Sequence, residues 1–231
     1  MSLVPLLPLF HRFNREYFDG LLVKRVTTVK YLGVKLDGNL KGDAHACEIV
    51  KKCAGRISFL YRNASLLDFY CRKTLCSSLI LPNLDYCCSS WYIGLTKQLR
   101  NKLDVLQRRV IRFIFSMDAR DHVGTGHLRQ LTWLSIQDRV KYFKLCHIFR
   151  IRHGLAPGYL SSGFVSITDT HSHLTRGSTF NYTITKDMCD SPTTFLFTAA
   201  KLWNNLPNEL KNINSFMVFR TKLKLFLSSD Y

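Results

Sequence analysis

Glutamate is nearly missing from this chain. Among 231 residues only Glu16, Glu48 and Glu209 are glutamates, and no Asp-Asp, Asp-x-Asp or Glu-x-Asp occurs. Nucleotidyl transfer by two metal ions needs carboxylates that converge on the ions, so the sequence offers poor material for it. Isolated acids such as Asp19, Asp37 and Asp85 read instead as turn or cap residues. The eight cysteines contain no C-x-x-C pair, and none of the eight histidines has zinc-ligand spacing, so no metal site is expected. Gly124-Thr-Gly126 is not followed by the Gly-Lys-Ser/Thr of a phosphate-binding loop. Neither a nucleophile elbow nor a cofactor motif is present, and no catalytic residue is assigned. No run approaches the roughly 18 to 20 apolar residues of a spanning helix, so no membrane partner is expected. The opening MSLVPLLPLF lacks a basic start and a small-residue cleavage site. With unpaired cysteines, this predicts a reduced, intracellular setting, nuclear or cytoplasmic.

What the chain does have is positive charge. Lys and Arg number 33 against 16 acids, giving +17 and a pI near 9.7. Between Lys51 and Arg152 stand 19 basic and 6 acidic residues, so most of the surplus lies in the middle of the chain. A polyanionic partner follows, nucleic acid ahead of a lipid surface. Tyr61, Tyr70, Trp91 and Tyr92 suit either base stacking or core packing.

Periodicity divides the chain into four segments. Residues 1–42 look extended: an Asp19-Gly20 turn signal lies between apolar residues, and the β-branched and aromatic run 25–37 is relieved by Gly33. Residues 43–160 are helical and basic. Ile49, Cys53, Ile57 and Leu60 make one apolar stripe. A second helix is predicted from Ser65 to Pro82. A third opens at Thr96 and runs through Leu99, Leu103, Leu106, Val110 and Ile114. A fourth opens at Ser135, with Asp138 three residues on, and aligns Ile136, Val140, Phe143, His147 and Ile151; His147 is thereby predicted to be a core histidine. Residues 161–190 read as a polar linker with a short candidate strand at 180–184. Residues 191–231 read as a small helical segment, with Ser191 as cap before Pro192 and a last helix from Ser215. The fold class expected is α+β, mainly α: an N-terminal β-hairpin element, a helical bundle, and a small C-terminal helical segment.

The order of short motifs resembles a known family. Val29-Lys-Tyr-Leu-Gly-Val-Lys-Leu-Asp37, then Leu40 and His45, then a basic helix, is similar to the segment after the catalytic motif in reverse transcriptases of non-LTR (LINE-type) retrotransposons. Leu81-Pro-Asn-Leu-Asp-Tyr86 with Trp91, the Leu-Gln-Arg-Arg run within Leu103 to Arg112, Leu131-Thr-Trp-Leu134 with Arg139, and Gly154-Leu-Ala-Pro-Gly-Tyr-Leu160 continue the match. Ala200-Lys-Leu-Trp-Asn-Asn-Leu-Pro207 and the stretch from Ser215 resemble the closing segment of such polyproteins. The chain departs from the family pattern at Gly38 to Gly42, where a Trp commonly found in the turn is missing.

The resemblance implies a primer-grip hairpin followed by a thumb-like bundle. It places Tyr31, Leu32 and Gly33 at the primer terminus, and Lys51, Lys52, Arg56, Arg72 and Lys73 on the phosphates. Charge alone adds Arg108, Arg109 and Arg112. The family's catalytic aspartates are expected to lie upstream of Met1. The chain is therefore expected to be a truncated RNA-directed DNA polymerase that is inactive alone, binding an RNA–DNA hybrid or duplex DNA without reading sequence. A separate palm-containing chain is a further partner in this view. The alternative is a protein-interaction or orphan remnant with no nucleic-acid role.

Overall fold

Two short β-hairpins open the fold, each closed by a two-residue turn of left-handed backbone. In the computed structural model, which describes residues 16–23, 26–167, 181–190 and 194–229, β1 (Glu16–Phe18) pairs antiparallel with β2 (Leu21–Val23) through Asp19-Gly20. β3 (Thr28–Tyr31) pairs with β4 (Val34–Asp37) through Leu32-Gly33. Positive φ at Asp19, Gly20, Leu32 and Gly33 gives these turns the twist that matches the strands. The second turn puts Leu32, a residue without Asp's local polar help, at φ 44°.

The rest is helical, so the chain is α+β and mainly α, as its periodicity implies. α1 (Asp43–Arg62) buries Ile49, Cys53, Ile57 and Leu60, the anticipated stripe. α5 (Lys97–Phe115) begins where Thr96 accepts a hydrogen bond from the Leu99 amide, and it buries all five anticipated apolar residues. The two helices run side by side in the same direction. The Thr96 amide donates to Asp43 Oδ1 at 3.3 Å near their N-termini, and the Tyr61 hydroxyl donates to the Arg109 carbonyl at 3.2 Å near their C-termini.

Between them the chain departs from expectation. Instead of one helix from Ser65 to Pro82, a 3-10 turn at Ala64–Leu66 precedes α2 (Phe69–Leu79), capped by Asp68, which accepts from the Cys71 amide at 2.7 Å. α2 ends at Leu79, short of Pro82 as expected, but Pro82 also begins a helix. It lies in the first turn of the short α3 (Leu81–Asp85), where its missing N–H costs nothing. α4 (Cys88–Trp91) follows. Gly42, at φ 80°, lets the chain pass against α4: a Cβ there would collide with the Trp91 carbonyl oxygen.

α6 (Thr125–Leu131) leads to α7 (Ile136–Arg152), capped by Ser135 as anticipated. Gln107 sets its start, donating to the Leu134 carbonyl at 2.9 Å and accepting from the Ile136 amide at 3.2 Å. α7 is apolar on more than the one stripe. Ile136 and Val140 join the core of α1 to α6, whereas Leu145, Cys146, Ile148 and Phe149 join a second core. His147 is exposed, contrary to its placement on a core stripe, with its ring 6.3 Å from Phe195.

The second core is completed by α10 (Phe195–Asn204), α11 (Asn208–Lys211) and α12 (Phe216–Ser229), with α8 (Gly158–Ser161) and α9 (Lys186–Asp190) beside them. The helix cap before Phe195 is Thr194, accepting from the Phe197 amide; Ser191 and Pro192 lie outside the described residues. The polar stretch 161–190 does more than link. Tyr182 is 6% exposed within the second core, bridges to Ser166, and has both backbone polar groups clasped by Asn204 at 2.8 and 2.9 Å. Residues 168–180 lie outside the described residues, as does the start of the candidate strand.

Candidate nucleic-acid interface

The turn anticipated at a primer terminus stands out from the bundle. Tyr31 and Leu32 are 63% and 74% exposed. The tip is held from behind by Tyr86, whose hydroxyl donates to the Leu32 carbonyl at 2.6 Å. Gly33 lets that ring approach, since a Cβ there would lie 3.3 Å from it. At its base the hairpin is fixed to α1, where the Lys35 amide donates to His45 Nδ1 at 3.3 Å and the His45 ring packs edge-on to Trp91. Burial holds His45 below the usual histidine range, which suits an acceptor nitrogen.

The eight basic residues fall into distinct environments. Lys51, Lys52 and Arg56 share one shallow basin of about 430 Å³ on α1, completed by Gly55, Phe59 and Leu79. Both lysines are exposed, and Arg56 rests one N–H on the Leu79 carbonyl at the end of α2. Phe59, 57% exposed, is an aromatic surface in the basin that the set Tyr61, Tyr70, Trp91 and Tyr92 did not include. Trp91 and Tyr92 are buried, Tyr61 packs edge-on to Phe113, and Tyr70 alone of the four is widely exposed. A helical period four residues on from an internal glycine gives no sign that Phe59 faces water.

Arg72 is spent on the fold. Its guanidinium donates to the carbonyls of Ala64, Leu67 and Phe113 and to Ser116 Oγ, tying the entry of α2 to the end of α5. Its neighbour Lys73 belongs elsewhere, within electrostatic reach of Lys224. Desolvation first, then Arg139, Lys73 and Arg220, hold Lys224 below its ordinary value. On α5 the three arginines do not act as one set. Arg109 donates to Ser58 Oγ at 3.0 Å and lies over the Tyr61 ring, and Arg112 donates through Nε to the Asp121 carbonyl at 2.9 Å. Arg108 is exposed. Partly bonded guanidiniums keep free N–H groups for a phosphate, so Arg56, Arg109 and Arg112 retain most of that capacity and Arg72, with four of its five N–H groups bonded, retains little.

Acids stay scattered. Asp19 sits in the β1–β2 turn, and Asp37 ends β4 and accepts from the Lys41 amide at 3.0 Å. Asp85 is not a solvated turn residue: Arg139 grips both its oxygens, through Nε at 2.7 Å and through Nη2. Among the described residues no three His, Cys, Asp or Glu side chains cluster to hold a metal. The cysteines are free thiols. Burial pushes Cys53 and Cys146 up to about 11, and Cys76 and Cys88 up to about 12, so these four are poor nucleophiles.

The arrangement can hold a phosphate backbone against the α1 basin and can stack an aromatic face there. No family model, curated protein or solved structure matches this chain.

Proposed function

We propose that this chain carries the primer-grip, thumb and carboxy-terminal parts of a non-LTR retrotransposon reverse transcriptase, and that it binds template-primer duplex without reading sequence. The supporting observation is a juxtaposition. The helix that directly follows the hairpin gathers Lys51, Lys52 and Arg56 around one basin, and the hairpin tip Tyr31-Leu32-Gly33 is fixed against the bundle by Tyr86. Lysine and arginine on phosphates position a duplex, and an exposed Phe59 adds a base-tolerant surface. The exposed apolar side chains of Val29, Tyr31 and Leu32 suit a protein partner at this end, such as a separate palm-containing chain. With no carboxylate cluster among the described residues, the chain by itself is not expected to extend a primer. No helix among them is long and apolar enough to cross a membrane, and a nuclear or cytoplasmic site accords with a nucleic-acid partner.

The test is a salt titration against one RNA–DNA hybrid and one DNA duplex. If the three basin cations each meet a phosphate, they contribute roughly −3 to the log-log slope on DNA, since each contact adds about −0.9. Exchanging Lys51 and Lys52 for Gln keeps helix-compatible side chains at exposed sites. It should weaken binding to all sequences alike and shrink the slope by up to about 2 units. A wild-type chain that fails to bind at low salt overturns the reading, and an unchanged slope in the double variant removes the basin from it.

A further inference from the structure

A second cationic site lies away from the α1 basin, between α5, α7 and α10. A cavity of about 290 Å³ is lined by Arg100, Lys141, Lys144 and Lys201 together with Tyr92, Thr198 and Asn205, and no carboxylate lines it. Lys144 is 2% exposed, yet its ammonium makes one hydrogen bond, 2.8 Å to Thr198 Oγ1. That hydroxyl gives its own proton to the Thr194 carbonyl at 2.8 Å, leaving its lone pair for the lysine. Arg100 donates through Nη2 to the Ile93 carbonyl at 2.6 Å and lies over the Tyr92 ring, but its Nε is buried without a partner. Lys141 alone of the four has an anion, Asp138 at 2.7 Å.

Such a site works against the fold that contains it. A buried ammonium without a counter-ion and a desolvated, unpaired guanidinium N–H each cost stability, and a long apolar side chain at 144 would fill the same space. Arg100 on α5, Lys144 on α7 and Lys201 on α10 line this one cavity from three helices. A tetrahedral dianion offers three cations three terminal oxygens and up to two charges, against the two oxygens and single charge of a carboxylate. The cavity lies at the small end of ligand pockets, which limits what it encloses to the phosphate group itself and leaves any larger substituent outside.

We propose that this cavity binds a phosphomonoester or inorganic phosphate dianion, held by Arg100, Lys144 and Lys201. None of these residues belongs to the α1 basin, so the proposal stands or falls apart from duplex binding.

The full chain, dialysed free of phosphate and sulfate at pH 7, is titrated at constant ionic strength with inorganic phosphate, adenosine monophosphate and adenosine. Calorimetry and thermal unfolding are read together. The expected result is saturable binding of one phosphate-bearing ligand per chain, a melting temperature that rises with its concentration as linkage requires, and no effect of adenosine. Lys144→Met should fold and lose affinity tenfold or more, and Arg100→Gln should do likewise. Lys201→Gln, at an exposed position, provides a variant whose folding is not in question and should weaken binding several-fold. Equal affinity for phosphate and the monophosphate supports a free-phosphate site; tighter binding of the monophosphate supports a nucleotide source. Absence of saturable binding by the wild type overturns the proposal, as does wild-type affinity in Lys201→Gln together with either buried-site variant.

Discussion

Replacing Lys144 by Met should stabilise this protein in phosphate-free buffer. The groups that act on the ammonium are Arg100 on α5 and Cys88 on α4, and Lys141 and Lys201 line the same cavity. Burial is the main cause that brings Lys144 down from 10.5 to about 8, with Arg100 adding to it and Cys88 opposing it. Between these two values the unfolded chain binds the extra proton, so raising the pH through this window adds stability, and below about pH 8 the full penalty is present. A depression of this size corresponds to at most about 3 kcal/mol. Loss of the bond to Thr198 returns about 1 kcal/mol of that, and reshaping the contacts removes some more. A net gain of about 1–2 kcal/mol at pH 7 remains, or roughly 2–8 °C in melting temperature for a chain of this size. Thermal unfolding of both proteins at pH 7 and near pH 10 measures it. The gain should shrink at the higher pH, because the wild-type lysine is then neutral in the folded state. A Lys144→Met protein that melts below wild type at pH 7, or a gain undiminished near pH 10, would refute the reasoning.

Other substitutions probe the scaffold. Tyr86→Phe removes the hydroxyl that holds the Leu32 carbonyl; it should cost about 1 kcal/mol and speed amide exchange in the β3–β4 hairpin while leaving α5 protected. Gly42→Ala sets a methyl on the Trp91 carbonyl at a left-handed backbone position and should cost more than about 2 kcal/mol. Gly55→Ala, in open space on α1, should instead gain up to about 1 kcal/mol; chemical denaturation of the pair is the check. A thiol reagent under native conditions should label Cys47, Cys71, Cys87 and Cys189 promptly and reach Cys53, Cys76, Cys88 and Cys146 only on unfolding. Eight equally fast thiols would contradict that burial.

How much of this was legible in the sequence depended on whether the cause was local. The caps at Thr96 and Ser135 and the stripe Ile49, Cys53, Ile57 and Leu60 are local, and they stand where the pattern placed them. Asp19-Gly20 likewise carried its turn in its own chemistry. The entry of α2 is not legible locally because Ser65 and Asp68 are both acceptable caps, and the choice between them is made partly by Arg72 reaching across to α5. His147 escapes the pattern because a single stripe assumes a single partner surface, and α7 has two. At the candidate site, periodicity located Lys51, Lys52 and Arg56. It gave no hint that Arg72 would be consumed by carbonyls, that Asp85 would seize Arg139, or that Lys144 would be buried, since each depends on a residue 41 to 54 positions away.

α7 also has a bearing on how this molecule comes apart. Its first turns are packed among the early helices and its later turns among α10 and α12. One rigid rod of 17 residues is therefore a shared component of both halves. If the late helices detach, Ile148 and Phe149 are stripped to water; if the early ones do, Ile136 and Val140 are. Neither half can open without undermining a helix that the other depends on. Local openings that leave α7 in place remain possible at the hairpins and the surface turns, but the two cores lack the independence that separate cooperative units require. Their unfolding should coincide in a single transition, and the segment between Gly154 and Gly158 is no hinge about which intact lobes could swing.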